Sequence, residues 1–206
     1  MPISETVFAD GTAPQVPYSQ LRENVRNGDL LLCSGSATFS KLIQHATNSI
    51  WSHVGFLMWL EPLHRLMVVE SVESIGVRTV PLSSYLSDYS GTGNHYPGNV
   101  LIACHETLHA QHLGPRMPSF ATFAIDRFGY PYDTDEIIRI AARIASGGLL
   151  EGGNLQDIKE YICSEYVDAC YRTLGVEIRR ASPGFISPAD FARDPDVNAV
   201  AIPQAA

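Results

Sequence analysis

The sequence predicts an α+β fold, an antiparallel β-sheet or partial barrel packed by helices. Two observations carry the prediction. Strand-length apolar runs dominate the first half of the 206-residue chain, and segments of helical spacing dominate the second. Two of the runs, 53–60 and 66–72, are partly β-branched and flank a short proline-containing break, the pattern of an antiparallel hairpin.

The elements follow in order. Residues 1–18 hold three prolines and few apolar side chains, so they read as an N-terminal arm. Gly28-Asp29 opens Leu30-Leu31-Leu32-Cys33, a buried-strand pattern closed by Ser34-Gly35-Ser36. Phe39, Leu42, Ile43 and Ala46 recur at helical spacing, and Thr47-Asn48-Ser49 ends that helix. After the hairpin come a short strand at 77–80, a short helix at 82–88, a glycine-rich loop at 90–98 and a strand at 100–104. Phe120, Phe123, Ala124 and Phe128 mark a helix ended by Gly129-Tyr130-Pro131. Ile137, Ile140, Ala141 and Ile144 share one face of another helix at 136–145. The last helix runs over 163–174 and stops at Gly175. Prolines 183, 188, 195 and 203 make 176–206 a C-terminal wrap, extended apart from one short turn near Pro188. No internal repeat or low-complexity tract interrupts the chain, so a single domain, 1–206, is expected.

Bulk properties narrow the function classes. The net charge is −8, with a pI of about 5.3, which argues against a general nucleic-acid partner. Residues 1–11 lack the basic start and apolar stretch of a secretory signal, and no apolar run nears the roughly 20 residues needed to span a bilayer. A cytoplasmic setting is expected, with export by another route left open. Cys33, Cys104, Cys163 and Cys170 lie in separate apolar segments without zinc-ribbon spacing, which fits free thiols in a reducing compartment.

The chemistry centres on Cys163 and His53. Cys163, Tyr166, Val167, Cys170, Tyr171 and Leu174 share one helix face, which should be buried. A core cysteine is the plain reading of such a face, and for Cys170, in mid-helix, it is the favoured one. Cys163 differs because it starts the helix. There the unpaired N–H groups and the positive dipole end favour a thiolate and could hold an oxyanion. His53 opens a strand in the stretch Trp51-Ser52-His53-Val54-Gly55-Phe56. Gly55 would let another backbone or a ligand approach closely. Glu70 lies inside the apolar strand Val68-Val69-Glu70-Ser71-Val72. A strand glutamate usually faces water, but the hairpin could bring this one beside His53, where it would orient the imidazole. Glu73, nearer the strand end, competes for that role.

Seven short motifs occur in order. They are Gly28-Asp29-Leu30-Leu31, Ser40-Lys41-Leu42-Ile43, Ala46-Thr47-Asn48-Ser49, Ser52-His53-Val54-Gly55, Val69-Glu70-Ser71, Gly129-Tyr130-Pro131-Tyr132-Asp133 and Cys163-Ser164-Glu165-Tyr166-Val167. The set resembles the circularly permuted papain-like cysteine hydrolases of the YiiX type, in the NlpC-like superfamily that also holds lecithin retinol acyltransferase-like enzymes. The resemblance implies that Cys163 is the nucleophile, His53 the base and Glu70 the residue that orients it. It matches Tyr132 and Asp133 to a Tyr-Asp pair lining the cleft. Residues 134–160 stand as a helical insertion relative to simpler members, a lid or cleft wall. The implied activity is hydrolysis of an amide bond in a peptide or peptidoglycan-type fragment without cofactor. Transfer or hydrolysis on an acyl-bearing lipid or thioester is the alternative, and a binding module that has lost the chemistry a third. Ser52 and Trp51 are further candidates for substrate contact.

A second constellation is His105, His109 and His112. The stretch His105-Glu106-Thr107-Leu108-His109 has the letters of a His-Glu-x-x-His metal site, but Gly114-Pro115 follows closely and marks a loop after a strand rather than the helix such a site needs. A solvated loop without a metal is the expectation there.

Overall fold

The computed structural model describes residues 2–110, 114–133, 161–181 and 185–205. The helix expected at 136–145, the insertion at 134–160 and His112 lie outside these. The described strands are β1 (Gln15–Pro17), β2 (Leu30–Gly35), β3 (His53–Leu60), β4 (Arg65–Val72), β5 (Gly76–Pro81), β6 (Gly98–His105) and β7 (Val197–Gln204). The helices are α1 (Thr38–Thr47), α2 (Leu82–Ser87), α3 (Glu106–Ala110), α4 (Met117–Ile125), α5 (Cys163–Arg172) and α6 (Pro188–Arg193).

The strands form one open sheet in the order β1-β7-β6-β2-β3-β4-β5. All neighbours are antiparallel except β1 and β7. The sheet is not closed, so of the two expected forms the structure takes the open one. The hairpin β3–β4 pairs Phe56 with Val69 and Leu60 with Arg65, around a short 3-10 turn at Glu61–Leu63.

Both faces of the sheet are buried. Leu30, Leu32, Val54, Phe56, Val69 and Leu101 pack against α4 and α5 through Phe120, Tyr166 and Val167. Leu31, Cys33, Leu57, Val68 and Ile102 pack on the other side against Leu82 and Tyr85 of α2. Burial on both sides is why the central strand β2 reads as a continuous apolar run rather than an alternating one. Phe56 anchors the first layer, with its ring centroid 4.8 Å from Phe120 and 6.1 Å from Tyr166. Such ring pairs contribute about 0.5–1.5 kcal/mol each beyond their buried area.

Three expectations need correction. The C-terminal stretch is not an extended wrap. It holds α6, capped by a Ser187–Asp190 capping box, and then β7, which enters the sheet between β1 and β6. The prolines sit where they cost little: Pro188 in the first helical turn and Pro203 near the strand end beside the short β1. The N-terminal arm is docked, with Ile3, Val7 and Ala13 buried and residues 15–17 forming β1. The stretch after Cys104 is a one-turn helix, α3, rather than a solvated loop.

Candidate active site

Cys163 is the first residue of α5, with Ile162 as an extended N-cap. The helix forms because its apolar residues share one face, and it stops before Gly175, whose φ of +76° lets the Val176 N–H turn back to the Tyr171 carbonyl. No side chain caps the helix start. The backbone N–H groups of Cys163 and Ser164 therefore have no partner within the helix and point outward at its positive end.

His53 is the first residue of β3, paired with Cys33 of β2. Ser52 locks this corner: its hydroxyl accepts the Gly35 N–H at 2.9 Å and donates to the Cys33 carbonyl at 3.3 Å. Glu70, in mid-β4, is fully buried rather than solvent-facing. Phe56 pairs with Val69, so the neighbouring positions Gly55 and Glu70 project together on the opposite face. His53 shares that face, two residues before Gly55.

The Glu70 carboxylate has three donors. His53 Nε2 lies 2.7 Å from Oε2, Arg78 Nε donates to Oε1 at 3.0 Å, and the Tyr85 hydroxyl donates to Oε2. Burial alone would push the carboxyl up, but the His53 hydrogen bond, the His53 and Arg78 charges and the Tyr85 hydroxyl outweigh it and hold it below its ordinary 4.5. Glu73, its sequence competitor, is exposed at the strand end.

With Nε2 on Glu70, the other ring nitrogen of His53 is left for the sulfur, and the ring is hydrogen-bonded to Cys163. Burial disfavours the charged ring. The hydrogen bonds to Cys163 and Glu70, and the charges of both, overcome this and raise it from 6.5 to about 10. The imidazole therefore keeps its proton at neutral pH. A second group reaches the sulfur: Tyr132 is hydrogen-bonded to Cys163, and burial followed by the Cys163 charge raises its phenol well above 10. Cys163 is 2% exposed.

A cleft of about 200 Å³ opens beside this group. His53, Tyr132 and Ser52 line it, together with Phe39, Tyr89 and Tyr96. Trp51 lies fully buried against Phe8, away from the cleft wall, and Asp133 is half-buried at the edge of the described residues. Arg78 and Tyr85 were not anticipated. A signal for Arg78 existed: strands folded symmetrically about the turn at 73–75 place it opposite Glu70, as observed. Tyr85 carried none, because a one-and-a-half-turn helix gives no direction from sequence.

The histidines after Cys104 separate. His109 Nε2 lies 2.6 Å from buried Asp29, while His105 is buried at the end of β6. His105 brings a ring nitrogen within 4.8 Å of carboxylate oxygens of Asp194 and Asp196. Its Nδ1 accepts the Thr107 N–H at 3.3 Å, and burial lowers its pKa.

The family model for permuted papain-like amidases of the YaeF/YiiX type, the C92 family, matches residues 24–139. The chain belongs to this family. Its members are enzymes of the amidase and cysteine-peptidase type, with a permuted papain-like fold. The matched stretch contains His53, Glu70 and Tyr132, and Cys163 lies beyond it. Among solved structures the chain is similar to metalloprotein YiiX from Escherichia coli O157:H7, at 19% identity and a TM-score of 0.60, over 88% of this chain and 99% of that one. No curated protein matches the chain. Among the described residues no helix is long and apolar enough to cross a membrane.

Proposed function

We propose that the enzyme hydrolyses an amide bond in a peptide or peptidoglycan-type fragment through Cys163, His53 and Glu70. The observation that carries this reading is the position of His53, hydrogen-bonded to the buried Glu70 carboxylate on one side and to the Cys163 thiol on the other. The Cys163 thiolate attacks the carbonyl carbon. The oxyanion forms beside the unpaired N–H groups at the start of α5, a contribution of about 3 kcal/mol per donor in well-studied cases. Protonated His53 then gives its proton to the amide nitrogen, the C–N bond breaks and the amine leaves. Neutral His53 next takes a proton from water, which attacks the thioester and releases the acid and the thiol. Glu70 holds the ring in place and stabilises its charged form throughout. The Cys33, Cys104, Cys163 and Cys170 thiols are all unpaired, which accords with a cytoplasmic setting.

The transferase or thioesterase alternative uses the same residues with another acceptor or acyl donor. No specific feature of the site favours it over hydrolysis. Turnover of peptide and peptidoglycan-fragment amides by wild-type, Cys163→Ala and His53→Ala proteins tests the proposal. Loss of about 10²–10⁴-fold in both variants is expected. Full activity in Cys163→Ala would overturn it.

A further inference from the structure

We infer that the cleft beside His53 is a subsite for a compact apolar group, one aromatic ring or a short branched alkyl, carried next to the scissile bond. The inference rests on the amide-hydrolase reading above and deepens it.

Size decides first. The cleft holds about 200 Å³. A cavity of about 150 Å³ lined by apolar side chains takes up benzene, whereas drug-sized ligands occupy roughly 300–1,000 Å³. One ring fits here, and a whole lipid tail does not.

The walls decide the chemistry. Phe39, Ile43, Tyr89, Tyr96, Pro97 and Tyr132 all line the cleft. The hydroxyls of Tyr96, Ser52 and Tyr132 are already engaged. Tyr96 is hydrogen-bonded to Ser40 and Ser52, Ser52 also holds Gly35 and Cys33, and Tyr132 is bonded to Cys163. Among the described residues on the wall, Glu73, at the exposed end of β4, is the one charged side chain apart from His53. A polar ligand would therefore lose water contacts and regain few.

Rigidity keeps the size fixed. Tyr85, Tyr89 and Tyr96 pack on one another with centroids 5.0–5.3 Å apart. Phe39 meets Tyr132 edge-on at 6.2 Å. Enlarging the cleft means breaking these ring pairs. Because His53 and Tyr132 are part of the wall and both touch Cys163, a group held here places the adjoining amide against the reacting atoms.

The test has a binding arm and a turnover arm. In Cys163→Ala protein, benzyl alcohol should bind saturably and shift the ring resonances of Tyr96 and Tyr132 in NMR spectra. Adding Ala37→Leu, at the exposed cleft mouth, should weaken that binding about tenfold. In wild-type protein, two amide series, one varying the acyl side and one the amine side, step from methyl through isobutyl and benzyl to dodecyl. In one series kcat/KM should rise to isobutyl or benzyl by about tenfold or more and gain nothing from dodecyl. Ala37→Leu should lower the benzyl-to-methyl ratio. Absence of saturable benzyl alcohol binding, or a rate that climbs steadily to dodecyl, overturns the subsite. Retained turnover in Cys163→Ala instead overturns the hydrolase reading, while the binding arm still stands on its own.

Discussion

A Cβ placed on Gly55 would stand 3.2 Å from Cβ of Glu70 and 3.1 Å from the Val69 carbonyl oxygen. The glycine leaves the gap through which Glu70 reaches His53 along the same sheet face. The close approach expected at Gly55 is therefore by a neighbouring strand. Gly55→Ala should cost about 1–3 kcal/mol from overpacking against backbone, offset by about 0.4–1 kcal/mol from the stiffer unfolded chain. Activity should fall further than this net loss implies, because Glu70 must shift. Urea denaturation together with kcat measured under fully folding conditions checks this. An unchanged kcat in the folded variant would count against the alignment role.

Glu70→Gln removes the charge but keeps a carboxyl-shaped acceptor. Arg78, with its side chain 18% exposed, loses its buried partner. Removing one member of such a pair costs about 3–5 kcal/mol, and turnover should drop about 10²–10⁴-fold. Adding Arg78→Met should recover much of the stability and none of the activity. Recovery of both in the double variant would show that Glu70 acts only as a partner for Arg78.

The His53–Glu70 pair sets a pH window. His53 is raised from 6.5 to about 10, so its contribution to stability is complete below pH 6.5 and is lost as pH rises towards 10. Glu70 is lowered from 4.5, so its contribution is present above pH 4.5 and is lost as pH falls through its folded value. The Tm advantage of wild type over His53→Gln should be greatest between these limits and shrink from pH 7 to 10. Burial opposes the charge on His53, and the Cys163 hydrogen bond leads the effects that raise it. In Cys163→Ala the NMR titration midpoint of His53 should therefore move to lower pH. A midpoint that stays in place would mean that the ring does not sense the sulfur.

Much of this arrangement was legible in sequence, and the gaps have physical causes. The hairpin at 53–60 and 65–72 stood out because β-branched apolar runs flank a proline-containing break. Helix α5 stood out because its apolar residues keep helical spacing up to Gly175. Strand β7 did not, since Val197-Asn198-Ala199-Val200-Ala201 mixes small and polar residues with weak strand preference between two prolines. Its place comes from pairing with β6, across an irregularity at Ile102/Ala103. Helix α3 has five residues, too few for a periodicity, and His109 meets Asp29 from 80 positions away. The order of Cys163, His53 and Glu70 along the chain suggested them as a group, whereas the burial of Glu70 beside Tyr85 is a tertiary fact.

Tyr132 neighbours Cys163. It lines the cleft, packs with Ile162, Phe39 and Phe185, and is hydrogen-bonded to the thiol of Cys163, a residue only 2% exposed. The ring and the hydroxyl can be separated by substitution. Tyr132→Phe keeps the ring and removes a hydrogen bond worth about 0.5–1.5 kcal/mol. Tyr132→Ala removes both. If the ring limits access, iodoacetamide should alkylate Cys163 about tenfold faster in Tyr132→Ala, equivalent to about 1.4 kcal/mol of opening cost. In Tyr132→Phe it should react much more nearly as in wild type. Mass spectrometry of the modified peptide over time, with His53→Ala as the control that loses the base, reads both effects. Equal alkylation rates in Tyr132→Ala and wild type would show that the sulfur is reached from another side, because the ring would then cover nothing that a small reagent needs to pass.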